Sequence, residues 1–175
     1  MSKPVVVFMG DSLTEWMPRP QLKNYDLQLA GFSGMGVDFL LQRAPGILKR
    51  CPPLMAWVCI GANDVWYFDP QQWEQTFSRL CQTITDSGAR LFVSTLMPVE
   101  NFGFGADLDI NNQLAMNNVI KKQTIAHKAI LVDSFAKFAD NKGYLPPGST
   151  DDGVHLTSAT YQQWIPFICQ AMNIS

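Results

Sequence analysis

Two uninterrupted apolar runs, Val5-Val6-Val7-Phe8-Met9 and residues 54–60, constrain the fold of this chain more than any other feature. A strand with one face in water alternates apolar and polar residues. A run without alternation fits a strand covered on both faces, as in a parallel sheet with helices above and below. Parallel neighbours cannot be joined by a tight hairpin and need a crossover, usually a helix.

The intervening sequence supplies such helices. Residues 37–48 carry a helical pattern, with Pro45 and Gly46 expected to kink or split it. Asp69 is a candidate N-cap followed by Pro70, and Trp73, Phe77, Leu80, Cys81 and Ile84 recur at spacings of three and four before a stop at Gly88. Asp109 can cap a helix reaching about His127, with Ile110, Leu114, Val119, Ile120 and Ile125 as its inward candidates. Residues 157–172 read as a closing helix bent by Pro166. Further strands are expected at 26–30, 90–96 and 130–133. Five strands alternating with helices give an α/β class, a three-layer α/β/α sandwich. With right-handed crossovers, its five-stranded parallel sheet takes the flavodoxin-like order 2-1-3-4-5. No repeat or linker divides the chain, so one domain over residues 1–175 is expected.

A formal charge of −2 with scattered Lys and Arg excludes a basic nucleic-acid-binding surface. The four cysteines form no C-x-x-C pair, and the two histidines are far apart, so neither a zinc site nor another metal centre is expected. They read as reduced, structural thiols. The first apolar run is too short for a signal-peptide core or a membrane span, which makes a cytoplasmic location the expectation. Nothing in the sequence implies a particular oligomeric state.

Four segments concentrate chemistry. Gly10-Asp11-Ser12-Leu13 follows the first strand, Gly31-Phe32-Ser33-Gly34 the second and Gly61-Ala62-Asn63-Asp64 the third; Asp152-Gly153-Val154-His155 lies on the last loop. In a parallel sheet the first three open at one edge, and the last can arch over it. A serine hydroxyl is a weak nucleophile that needs an adjacent base. His155 is the candidate base, and Asp152, three residues earlier, can hold its other ring nitrogen. An oxyanion needs preorganised donors, which the backbone N–H of Ser12, Gly34 and the Asn63 amide can supply.

These blocks resemble, in order and spacing, the signature blocks of the SGNH hydrolases, also called the GDSL esterase/lipase family. The resemblance spans residues 10–161, most of the chain. It implies Ser12 as nucleophile, His155 as base and Asp152 as its partner, with Ser12, Gly34 and Asn63 forming the oxyanion hole. It also implies a serine esterase or lipase that forms an acyl-enzyme on a small-molecule ester, short acyl or acetyl esters being favoured, without cofactor or metal. Met35 departs from the polar residue often found after the glycine of the second block.

Plainer readings stand beside each assignment. Ser12 can cap a turn, and Asp11 and Asp64 read as local hydrogen-bonding residues. His127, beside Lys128, suits a helix end. Gly31 and Gly36 rival Gly34 as donors. Gly31-Phe32-Ser33-Gly34-Met35 lacks the last glycine of a G-x-S-x-G elbow. Gly34-Met35-Gly36 lacks the third glycine of a dinucleotide fingerprint, where Phe39 stands. Trp16, Met17, Met35, Trp66, Tyr67, Met97, Phe102 and Phe104 fall near the active edge, where core packing competes with an apolar acyl pocket. Met35, Trp66, Met97, Phe102 and Phe104 are the substrate-contact candidates, and residues 99–108 can form a mobile flap. A lysophospholipase or acyl-thioesterase is the alternative substrate class; a non-catalytic binding protein on a hydrolase scaffold is the alternative of another kind.

Overall fold

The computed structural model describes residues 2–174, leaving the expected domain's end residues Met1 and Ser175 outside. Five strands form one parallel sheet: β1 (Val5–Gly10), β2 (Asp26–Gly31), β3 (Met55–Cys59), β4 (Arg90–Ser94) and β5 (Ile130–Val132). Their order is β2-β1-β3-β4-β5, as the alternation of elements predicts. The interior strand β1 pairs on both sides, Gly10 standing opposite Gly31 and Cys59. The carboxyl ends of three strands therefore share one level.

Successive residues of β1 point into different layers. Val7 and Met9 join one buried cluster with α2 (Val37–Arg50), α3 (Pro70–Asp86) and α5 (Ile110–Ala126). Val6 and Phe8 join the other with α1 (Ser12–Glu15) and α7 (Ser158–Met172). The second cluster is built on aromatics: Trp57 of β3 packs 5.0 Å from Phe8 and 5.6 Å from Trp164, ring centre to ring centre. Two short helices, α4 (Gly103–Asp107) and α6 (Ser134–Phe138), complete the elements. Asp133, expected to end the fifth strand, instead caps α6 by accepting from the Ala136 amide and pairs with Lys121 at 2.9 Å.

The cap and stripe of α3 stand as the spacing predicts. Asp69 accepts from the Gln72 amide, and all five stripe residues are buried. Two expectations change. Pro45 does not split α2, which runs unbroken through it because Pro45 and Gly46 lie on the exposed face. A carbonyl that loses its helical donor there can bond water instead. The inward face of α5 is also different. Leu114 and Ile125 are exposed, Ile125 by 81%, while Gln113, Met116, Asn117, Ile120, Gln123 and Thr124 are buried. The polar members of this face have partners: Asn117 Oδ1 accepts from the Leu96 amide, and Gln113 Nε2 donates to the Met97 carbonyl. Apolar spacing misreads a helix whose inward amides serve a neighbouring loop. Residues 99–108, the flap candidate, contain α4 and are tied to the last loop by backbone hydrogen bonds.

The α5 face gives a direct test. Ile120→Ala should lose about 2–5 kcal/mol in a denaturant titration, as buried large-to-small changes do. Ile125→Ala should stay within about 0.5 kcal/mol. The reverse ranking would refute the assigned face.

Candidate active site

Ser12 opens α1, two residues beyond the end of β1. Asp11 caps this turn by accepting the Leu13 amide at 3.1 Å, and Tyr161 of α7 donates its hydroxyl to the Leu13 carbonyl at 2.8 Å. The turn is thus held from within and from the opposite end of the chain.

The structure brings Ser12, His155 and Asp152 together. Ser12 Oγ lies 3.0 Å from His155 Nε2, and His155 Nδ1 lies 2.7 Å from Asp152 Oδ2. Burial alone would raise the Asp152 carboxyl. Hydrogen bonds from the His155 amide and ring and from the Val154 amide outweigh it and hold the group below its ordinary value. An ionised carboxylate only accepts, so the proton between them sits on Nδ1. Nε2 is left with a lone pair facing the serine hydroxyl. The same carboxylate takes the Val154 and His155 amides at 3.0 and 2.8 Å, and the Asp151 amide closes the loop onto the His155 carbonyl at 2.8 Å. This half of the site is assembled within five residues.

The other histidine also meets a serine. His127 Nε2 is 2.9 Å from Ser78 Oγ, but among the described residues no carboxylate holds its second nitrogen. Ser33 is engaged elsewhere: its amide and hydroxyl both donate to Glu15, which holds that carboxyl below its ordinary value. Neither alternative serine has a carboxylate–imidazole pair beside it.

The donor candidates lie on the second and third loops. Gly34 has φ +74°, a left-handed conformation that glycine adopts without strain. Gly31 and Gly36 are small for packing reasons, since a Cβ would strike the Glu15 backbone or the Asp64 carboxylate. Among the described residues, no protein acceptor takes the Ser12 or Gly34 amide. Asn63 Nδ2 donates to the Met35 carbonyl at 3.0 Å, which fixes the amide and leaves its second N–H free. Asp64 joins the two loops: its Oδ2 accepts from the Val37 amide and from Trp73 Nε1, both at 3.0 Å. It therefore caps α2 from another segment, where Gly36 has no side chain to do so.

Beside Ser12 lies a cavity of about 320 Å³ lined by Ala62, Asn63, Trp66, Phe104, Leu108, Val154 and His155. Of the expected substrate contacts, Trp66 and Phe104 line it. Met97 does not: it is 4% exposed and packs in the cluster with Val6 and Phe8. The strand ends at Ser94, so Met97 has already turned back into the core when the chain leaves the edge. Met35 contributes its carbonyl to Asn63, and neither its side chain nor that of Phe102 lines this cavity. Trp16 is more intimate with the site than sequence indicates. It is half exposed, and its ring lies 4.2 Å from the His155 ring, centre to centre. No local pattern signals a contact between residues so far apart in sequence. Ala62 and Val154 lie within two of the chemistry-bearing blocks and Leu108 ends the 99–108 segment, but nothing in the sequence marks these small or ordinary apolar residues as cavity walls.

Among the described residues, no three His, Cys, Asp or Glu side chains gather as a metal site, and no helix is long and apolar enough to cross a membrane. All four cysteines are unpaired thiols.

The comparisons converge on one group. The GDSL-like lipase/acylhydrolase family model matches residues 6–163. No curated protein matches the chain. A GDSL-like lipase from Bacteroides thetaiotaomicron superposes with a TM-score of 0.81 at 21% identity, over 99% of this chain and 92% of that one. An acetyl xylan esterase gives 0.81 at 18% identity, over 95% and 98% of the two chains. A lipase/acylhydrolase from Enterococcus faecalis gives 0.79 at 15%, over 98% and 97%. At these identities the structures report a shared fold.

Asp11 sets a pH dependence. Burial raises its carboxyl to about 6; the Leu13 and Ala62 amides oppose the shift and Asp64 reinforces it. The folded state therefore holds this proton after the unfolded chain has released it. Stability contributed at low pH is lost as pH rises from about 4 to about 6. Asp11→Asn keeps an oxygen for the Leu13 amide and removes the titration. Relative to the parent, it should gain on the order of 2 kcal/mol between pH 4 and pH 7 in urea unfolding. A difference that is the same at both pH values would show that Asp11 does not carry a raised pKa.

Proposed function

This chain belongs to the GDSL-like lipase/acylhydrolase family, and from that premise we propose that it cleaves carboxylic esters through an acyl-enzyme on Ser12. The observation that carries the reading is the alignment Ser12 Oγ–His155 Nε2–Asp152, at 3.0 and 2.7 Å.

Ser12 Oγ attacks the ester carbonyl carbon while its proton passes to His155 Nε2. The Asp152 carboxylate stabilises the imidazolium that results. The carbonyl oxygen becomes an oxyanion and takes the Ser12 and Gly34 amides and the free Asn63 N–H. Collapse of this intermediate breaks the bond to the leaving oxygen, which receives the proton from His155. Water then gives a proton to the same nitrogen and attacks the acyl-enzyme, releasing the acid and restoring Ser12.

The apolar walls from Ala62, Trp66, Phe104, Leu108 and Val154 suit a short acyl chain lying beside the nucleophile. Among the described residues, no Asp, Glu, Lys or Arg side chain lines that wall to hold a carboxylated or phosphorylated acyl group. Short acyl or acetyl esters of small alcohols are therefore the proposed substrates.

Ser12→Ala should abolish turnover of p-nitrophenyl acetate while leaving the thermal melt unchanged, and Asn63→Ala should lower kcat by ~10²–10³, as loss of an oxyanion donor does. Full activity in folded Ser12→Ala would refute the proposal. A screen of p-nitrophenyl esters, lysophospholipids and acyl-thioesters separates the substrate classes, with short esters expected to lead.

The cavity makes a further distinction. Phe104→Ala should shift preference toward longer acyl chains by about tenfold in kcat/KM, in the range that pocket methylenes contribute. Phe102→Ala, off the cavity wall, should not. Equal chain-length profiles in both variants would remove Phe104 from the acyl site.

A further inference from the structure

We propose that Glu100 is a positioning residue for the loop carrying Asp152 and His155, acting on it through the hydroxyl of Thr150. The inference rests on those two residues being the acid–base pair proposed above.

Glu100 is only 7% exposed, and among the described residues no Lys or Arg pairs with it. Four donors meet its carboxylate instead. The Gly148 amide donates to Oε1 at 2.7 Å. The Ser149 amide at 3.0 Å, the Thr150 amide at 2.9 Å and the Thr150 hydroxyl at 2.9 Å all donate to Oε2. A buried carboxylate with this many donors is stable only as an anion in that place. Burial pushes the Glu100 carboxyl up; the Gly148, Thr150 and Ser149 donors outweigh it and hold the group below its ordinary value.

The Thr150 hydroxyl passes this order onward. It has one hydrogen, and Glu100 takes it. Its lone pair is thereby turned toward the Gly153 amide, which donates to it at 3.0 Å. Gly153 directly follows Asp152. The opposite side of the same stretch is held by the backbone around Glu100: the Glu100 amide donates to the Gly153 carbonyl at 2.8 Å, and the Phe104 amide to the Asp152 carbonyl at 2.9 Å. Glycines permit this close approach. Gly153 has φ +97°, and a Cβ there would strike the Phe102 carbonyl. A Cβ on Gly105 would strike the carbonyls of Glu100 and Gly153. The backbone on either side of the proposed acid is thus gripped from both directions by one segment.

A carboxylate used only for stability would tolerate loss of the Thr150 relay without a change in chemistry. A positioning carboxylate would not, because a misplacement of about 1 Å in a reacting group can cost ~10²-fold in rate. The test compares Glu100→Gln, Thr150→Val and Thr150→Ser in the full chain. Thermal melts are measured beside kcat and KM for p-nitrophenyl acetate. Thr150→Val keeps the shape and the Glu100 anion but removes the relay hydroxyl, so it decides the question even where Glu100→Gln does not fold.

The expected result is a fall in kcat of about 10- to 100-fold for Thr150→Val, with KM changed by less than about threefold. Thr150→Ser, which restores the hydroxyl, should recover activity to within about threefold of the parent. Folded Thr150→Val with parental kcat would overturn the proposal, as would a loss that Thr150→Ser does not recover. Failure of the underlying acid–base reading looks different: the parent and His155→Ala would then turn over the ester equally.

Discussion

Parallel pairing on both sides of β1 is the constraint on which the rest of this molecule depends. Gly10 stands level with Gly31 and Cys59 in the sheet, so the three loops that follow these strands must leave from one edge. Ser12, Gly34 and Asn63 come from these loops. Their proximity needs no long-range search for partners once the strands are in register. Each loop begins within a few residues of a rigid strand end, which limits how far the side chains it carries can wander. The β1 run owes its uninterrupted apolar character to the same arrangement, with Val7 and Met9 in one layer and Val6 and Phe8 in the other.

The proposed acid–base half of the site obeys a different logic. Asp152 and His155 are not placed by the sheet. They belong to a loop closed on itself by the Asp152 carboxylate, which takes two backbone amides as well as the imidazole. That loop is then delivered to Ser12 by contacts with residues 99–105, while Tyr161 ties the start of α7 back to the Ser12 turn. Buried and half-buried carboxylates recur as the fasteners. Asp64 binds the second loop to the third, Asp11 caps the Ser12 turn, and Glu100 gathers the backbone before Asp152. Each receives backbone amides that would otherwise be left unpaired away from water, which is the general reason such groups persist in loops.

Much of this was legible in the sequence, and the reasons for the remainder are physical. Strand order and helix placement follow from apolar runs and caps, because local periodicity records burial directly. Ser12, Asp152 and His155 could be singled out because nucleophilic chemistry demands particular residue types at the ends of particular elements. The α5 face was misread because Gln113 and Asn117 point inward to bond the Leu96 and Met97 backbone, and a polar side chain serving a neighbouring loop looks like a surface residue. Met97 was misplaced because sequence does not show where a chain leaving β4 turns inward. Trp16 against His155, and Glu100 beneath Thr150, are contacts between segments brought together only by the complete fold. Nothing in a local window records them.

The central claim is that one serine among several is activated, by an imidazole held on its far side by a carboxylate. Ser78 also touches a histidine, and Ser33 sits on a neighbouring loop, so chemical selectivity is the sharpest discriminator. Reaction of the folded protein with a fluorophosphonate, followed by peptide mass spectrometry, measures it directly. The account predicts a single phosphonyl adduct on the peptide containing Ser12. Modification of Ser33 or Ser78 in its place, or no adduct on folded protein, would contradict it.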